Sequence, residues 1–243
     1  MRGKFTRTDE KSIAASITGA GTFDREFLLS LLKKESVEEI IKSVKLSNLP
    51  EFRIALKNFK DKNNLAAVEN ALDKFYYTSI IQFSRILPRQ GDLFRQFLRK
   101  EVDILNILTL VRLKKNNFKK EEIKNFMIPY DNKSKDSWIS NLENANGVEQ
   151  LTKLLEKTEY KNIIIKGMEE FRKTGSLIML EIELYKHLLK QSILFMHQHL
   201  LSIDVILGYM FAKDVESRNL KMIIKGRQLG LSEQFIDSQL IYE

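Results

Sequence analysis

Residues Phe97–Asn106 read "FLRKEVDILN", and residues Met210–Asn219 read "MFAKDVESRN". Both begin apolar and then give Lys, an acid, Val, an acid, two variable places and Asn. The two stretches lie 113 residues apart. Two further pairs keep nearly the same offset. "SVEEIIKSV" at Ser36–Val44 resembles "GVEQLTKLL" at Gly147–Leu155, and "VENALDKFYY" at Val68–Tyr77 resembles "LEIELYKHLL" at Leu180–Leu189. Three collinear matches with an offset that drifts by one residue at a time predict an internal duplication. The expected organisation is a segment 1–22 that is a leader or junction remnant, one repeat unit at 23–130 and a second at 131–243.

The composition predicts an all-α fold. The chain has 243 residues with only ten Gly and three Pro, too few for the many turns of an all-β protein. Lys, Leu and Glu, all good helix formers, are abundant. Long helices are expected near Leu65–Ile86, Asp92–Lys115, Ser176–Leu201 and Asp204–Gln228, and short closing helices near Lys120–Met127 and Ser232–Leu240. Ser36 with Glu39 forms an S-x-x-E capping box at a helix start, and Asn146 with Glu149 stands in the same places of the second unit. Pro50 suits a first helical turn. "IPYDNKSKDS" at Ile128–Ser137 reads as the linker. In the Asp92–Lys115 segment, Leu105, Leu108 and Val111 face one way, and Ile104 and Ile107 widen the stripe. Such a helix is buried between neighbours.

The polar pattern inside this apolar helix has two readings. Lys100, Asp103 and Asn106 fall at i, i+3 and i+6, and Lys213, Glu216 and Asn219 repeat the line. One reading is a site, with acid, amide and base converging on a ligand. The other, preferred, is a structural lock in which the Asn hydrogen-bonds free backbone groups of a nearby loop. A buried polar group must be paired, and that pairing fixes one packing.

Net charge is +8, unevenly distributed. Residues 1–22 carry four basic and two acidic groups, residues 23–130 carry 21 and 14, and residues 131–243 carry 15 and 16. The excess centres on the run "RLKKNNFKK" at Arg112–Lys120. Arg112, Lys114, Lys115, Lys119 and Lys120 are therefore the candidate partner interface, against the plainer reading of a solvated helix end that complements the C-terminal dipole. The chain has no Cys, so it has no disulfide or thiolate chemistry. It has no G-x-x-x-x-G-K-[ST] and no secretory h-region. "GAG" at Gly19–Gly21 lacks the spacing of a dinucleotide loop. Of the three His, His197 and His199 point to different helix faces, and His187 is i+4 from Glu183, so no zinc set is expected. Trp138 is expected to pack against the second unit's first helix. No cofactor, metal or small-molecule substrate is expected.

The stretches "FRQFLRKEVDILNILTLVRLKK" (Phe94–Lys115) and "YMFAKDVESRNLKMIIKGRQLGLSEQFIDSQL" (Tyr209–Leu240) resemble the signature helices of the C subunit of A-type and V-type rotary ATPases, called the d subunit in the eukaryotic vacuolar enzyme. The matching residues are Lys213, Asp214, Glu216, Asn219, Lys225, Gly226, Gly230 and Leu231. Leu72, Asp73, Tyr76 and Tyr77 resemble the family's long helix, and "FMIP" at Phe126–Pro129 resembles its linker without the glycines. The resemblance covers about residues 23–243. It implies a non-catalytic, helical coupling protein, peripheral on the cytoplasmic face of a membrane. Its partners would be the central-stalk subunits and the membrane proteolipid ring. The family's protein has three similar helical domains, and two units are counted here, so the first of the three is expected to be missing. The alternative is a basic all-α nucleic-acid-binding or scaffold protein, whose affinity would fall steeply with salt. The modest charge, and the lack of aromatics interleaved in the basic run, favour the rotor reading, with no nucleic acid expected.

Overall fold

A computed structural model describes residues 1–19, 21, 23–44, 49–62, 65–87, 91–129, 137–198 and 202–242. Every regular element among them is helical, as composition predicts. The chain divides into two compact units, Met1–Phe75 and Tyr76–Glu243. This division follows packing, whereas the 23–130 and 131–243 repeats follow sequence similarity.

The first unit contains α1 (Arg2–Phe5), α2 (Glu10–Ser16), α3 (Arg25–Ser30), a short 3-10 turn (Leu31–Lys33), α4 (Val37–Ser43), α5 (Pro50–Lys62) and the first half of α6 (Ala66–Ile86). The starts of α2, α3 and α4 are capped by side chains. Asp9 accepts from the Lys11 and Ser12 amides, and Asp24 accepts from the Phe27 amide. Ser36 accepts from the Glu39 amide at 3.2 Å. The Glu39 carboxylate accepts from the Glu35 amide, one residue before the N-cap. Val37, Ile41, Phe52, Leu56, Leu65 and Val68 form the core. The described part of 1–22 packs on this unit. Met1 lies against its core, the Arg2 guanidinium pairs with Glu69, and the Phe5 ring meets Phe59 at 6.1 Å.

In the second unit, the rest of α6 is followed by α7 (Gly91–Lys115), α8 (Lys120–Lys124), α9 (Ser137–Glu143), α10 (Gly147–Leu155), α11 (Lys161–Thr174), α12 (Ile178–Gln198), α13 (Ile203–Gln228) and α14 (Glu233–Ser238). Helix α7 is the axis of the core. Val102, Ile104, Ile107, Leu108, Leu110 and Val111 are all 3% exposed or less, so the helix is apolar on most of its circumference. It packs against α10, α12 and α13, and α12 in turn packs against α11 and α13. Burial on several sides is what an apolar stripe of this width requires.

Two local details differ from expectation. Asn146 is the N-cap of α10, but its side chain makes no capping bond, and the Gln150 side chain accepts from the Asn146 amide at 2.6 Å. Gln150 is the residue after Glu149, so the bond back to the N-cap amide comes from one position later and is not reciprocated. Helix α11, which the sequence pattern did not place, ends at Gly175 with φ +69°, the left-handed conformation that glycine adopts without penalty. Most of the linker, residues 130–136, and the side chain of Trp138 lie outside the described residues, as do Ala20 of the "GAG" stretch and His199.

Candidate functional site

The two asparagines make the same contact twice. Asn106 is 1% exposed on α7. Its Nδ2 donates to the Ile128 carbonyl and its Oδ1 accepts from the Ile128 amide, both at 2.9 Å. On α13, Asn219 Nδ2 donates to the Ile241 carbonyl at 2.6 Å, and Oδ1 accepts from the Ile241 amide at 2.9 Å. The separation is 22 residues in both cases. The Asn side chain thus reproduces the two-bond pairing of a β-ladder for one isolated residue, satisfying a backbone amide and carbonyl that no helix serves.

The other members of the two lines are used differently. Lys100 pairs with Glu159 at 2.7 Å, and the Tyr160 hydroxyl donates to Asp103 Oδ2 at 3.1 Å. These contacts fasten the segment before α11 to α7. In the second line, Lys213 and Glu216 pair with each other, and both side chains are more than half exposed. Among the described residues, Asn219 alone of that line reaches a neighbouring segment.

The basic run does not face outward as one surface. Lys114 is 8% exposed, and its ammonium donates to the carbonyls of Glu143 at 2.8 Å and Ala145 at 2.7 Å. It thereby closes the C-terminal end of α9, where free carbonyls and the helix dipole favour a cation. Burial lowers its pKa, and the nearby Glu143 charge opposes that shift. Lys115 donates to the Gly175 carbonyl at 2.6 Å and lies over the Phe171 ring, closing α11 in the same way. Arg112 pairs with Glu181 of α12. Lys119 is the N-cap residue of α8, its amide donating to Glu122, and both Lys119 and Lys120 are exposed. The reason Lys114 turns inward is its register, because it follows Leu110 by four residues and Val111 by three, on the buried face of α7. Lys114→Met should therefore lower thermal stability, by about 2 kcal/mol for two orphaned carbonyls, with partner binding unchanged. A melting curve of the variant checks this.

A further polar cluster is not apparent from the sequence pattern. Tyr77 on α6 donates to Glu101 on α7 at 3.1 Å. Arg218 on α13 donates to Asp214 at 2.8 Å and stacks over Tyr185 of α12 at 4.5 Å. Burial pushes the Glu101 carboxyl above its ordinary range; the Tyr77 hydrogen bond opposes this, Asp214 adds to it and Arg218 offsets it. Glu101 and Asp214 are the equivalent acids of the two quoted stretches, and beside them Phe97 meets Phe211 at 5.9 Å. The available signal was that Glu101, four residues after Phe97 and three after Leu98, lies on an apolar face.

His187 on α12 sits edge-on to the Tyr160 ring at 5.6 Å, with a buried Nε2 that has no hydrogen-bond partner among the described residues. Burial depresses its pKa, Lys100 and Lys190 depress it further, and Glu159 works the other way. The unfolded chain takes up this proton near pH 6.5 and the native state does so only lower, so stability is full above about 6.5 and falls as pH drops from there to the native pKa. His187→Leu should flatten that part of the acid limb. Melting temperatures of both proteins between pH 8 and pH 5 test this, and parallel curves would refute it.

Among the described residues there is no group of three or more His, Cys, Asp or Glu that could hold a metal ion. No described helix is long and apolar enough to cross a membrane. Asn106, Arg112, Lys114, Lys115 and Asn219 each join their helix to another segment of the second unit. The family model for the ATP synthase (C/AC39) subunit matches residues 1–239, and the chain belongs to that family. It is 35% identical to the C subunit of the A-type ATP synthase of Methanosarcina acetivorans, in an alignment covering 99% of this chain and 65% of that protein. It is 28% identical to the corresponding protein of Methanocaldococcus jannaschii, covering 99% of this chain and 61% of that one. Against the Halobacterium salinarum protein of the same name, identity is 26% over 99% of this chain and 69% of the relative. The chain thus spans about 65% of the length of its Methanosarcina relative.

Proposed function

We propose that this chain is a non-catalytic rotor subunit of an A-type ATP synthase, peripheral to the membrane. It links the central stalk to the membrane proteolipid ring and passes rotation between ion translocation and ATP chemistry. The observation that carries the reading is the family match along residues 1–239, with relatives named as the C subunit of A-type ATP synthases. The packing supports it. A torque-bearing link must resist shear between helices, and cross-braces such as Lys114 to the end of α9 and Asn106 to Ile128 join separate segments of the second unit. The sequence-repeat organisation, with units at 23–130 and 131–243, belongs to the same proposal and is supported by the matched asparagine contacts.

The nucleic-acid alternative draws little from the structure, since Arg112, Lys114 and Lys115 of the basic run are engaged within the chain. The test is co-elution of the chain with purified central stalk, and separately with detergent-solubilised proteolipid ring, at two salt concentrations. Binding to either that survives moderate salt is the expected result. Binding to neither, together with salt-sensitive retention on duplex DNA, would replace the rotor reading with the alternative.

A further inference from the structure

The outer face of α13 carries a seam that no described residue of the second unit covers. Ile206, Met210, Lys213, Ser217, Leu220 and Ile224 follow one another at steps of four, three, four, three and four residues. That is the spacing of the a and d positions of a heptad, and eighteen residues make five full turns, so Ile206 and Ile224 lie on one line. The apolar members are well exposed: Ile206 61%, Met210 63%, Leu220 52% and Ile224 56%, with Tyr209 at 59% beside them. The opposite face is the one spent on packing, through Phe211 and Val215. A helix needs only one apolar stripe to join its own bundle, and α13 has two.

Charge says what the second stripe suits. Along the seam, Lys213 pairs with Glu216, Arg218 with Asp214 and Arg227 with Glu233, which leaves Lys221 and Lys225 as the basic side chains outside any ion pair among the described residues. Lys221 and Lys225 flank Leu220 and Ile224 directly and are exposed. Lys213, in the middle of the seam, is exposed as well. We infer that this seam of α13 docks one amphipathic helix of a partner protein, with apolar residues along its contact line and acidic residues on its flanks. A lipid surface fits less well. An inserted stripe would drag Lys213 and Ser217, at its centre, into hydrocarbon, whereas a helix can present an acid or hydroxyl to them. A polar residue within an apolar seam sets register between helices. The inference deepens the proposed function and rests on it only for the identity of the protein that supplies the helix.

Two arms separate the seam from that reading. In the first, the full chain is titrated with a synthetic helix of about 28 residues that has Leu on its seam and Glu on its flanks. The expected result is binding that weakens at least about tenfold in the double variant Ile206→Glu/Ile224→Glu and in a version of the peptide with Lys flanks. The substituted positions are more than half exposed, so the variant should melt with the wild type. Equal binding by the variant, no binding of the Glu-flanked helix by wild type, or seam-dependent binding confined to phosphatidylglycerol vesicles or to a second copy of the chain would each overturn the inference. In the second arm, wild type and variant are compared for co-elution with the purified stalk and ring. Loss of wild-type binding there counts against the rotor reading, and the peptide arm still decides the seam.

Discussion

Asn106→Leu should unfold the second unit at a markedly lower temperature than wild type. The substitution keeps the branching and heavy-atom number of the side chain and removes both hydrogen bonds to Ile128, a residue that is itself 7% exposed. An amide and a carbonyl are then buried without partners, each costing about 1–3 kcal/mol. The sum is about 3 kcal/mol, or a fall in Tm of about 6–12 °C for a unit of this size. Asn219→Leu should cost less, about 1–2 kcal/mol, since its contact with Ile241 is only part-buried and water can replace it. The ranking is as diagnostic as the size. Wild-type melting in both variants would remove the structural-lock interpretation and reopen the reading of these residues as a ligand site.

The second large effect is expected at Gly167, at the crossing of α11 and α12. A Cβ there would lie 2.7 Å from Leu180 Cδ1, 2.8 Å from Leu180 Cα and 2.9 Å from Leu180 Cβ. One of these atoms is backbone, so no rotamer change in Leu180 relieves the contact, and the helices must move apart. Leu180 is fully buried, and separation would loosen the core it shares with Ile164 and Met168. Replacing a helical Gly by Ala ordinarily gains about 0.5–1 kcal/mol, but overpacking costs about 1–3 kcal/mol, so Gly167→Ala should destabilise on balance. Gly167→Val, with two more carbons at the crossing, should cost more than Ala, at the upper end of that range or beyond. Chemical denaturation of the two variants gives both numbers. A Gly167→Ala protein more stable than wild type would show that the crossing relaxes at little cost.

Much of the fold was legible because the long helices are defined by apolar periodicity with few breakers. The four expected spans correspond to α6, α7, α12 and α13, with ends shifted by no more than two residues, apart from the expected end at Leu201, which lies outside the described residues. The Asn pattern was legible for another reason: a polar side chain fixed at one place in an apolar stripe must find a partner, and here it finds a backbone residue just beyond the next short helix. What could not be read was the partner of each charge. Lys114 and Lys120 look alike in a basic run, yet one is buried against two carbonyls and the other is exposed. Only the register of Lys114 with Leu110 and Val111 distinguishes them. Glu101 and Asp214 share a cluster because α7 packs against α13, a fact of tertiary arrangement that no local pattern encodes. Helix α11 was missed because "NIII" is a short apolar run, which periodicity alone does not assign to helix or strand.

The asparagine contacts also bear on the order in which the chain acquires structure. Each joins points only 22 residues apart, on either side of one short helix. Closing so short a loop is fast and costs little chain entropy. The contacts between α7 and α12, by contrast, must draw together segments separated by the whole of α8 to α11. The two clasps can therefore be in place before the distant helices meet, leaving α7 and α13 each with its trailing short helix already folded back. Assembly of the second unit then starts from two preformed hairpin-like pieces, α7 with α8 and α13 with α14, against which α9 to α12 pack.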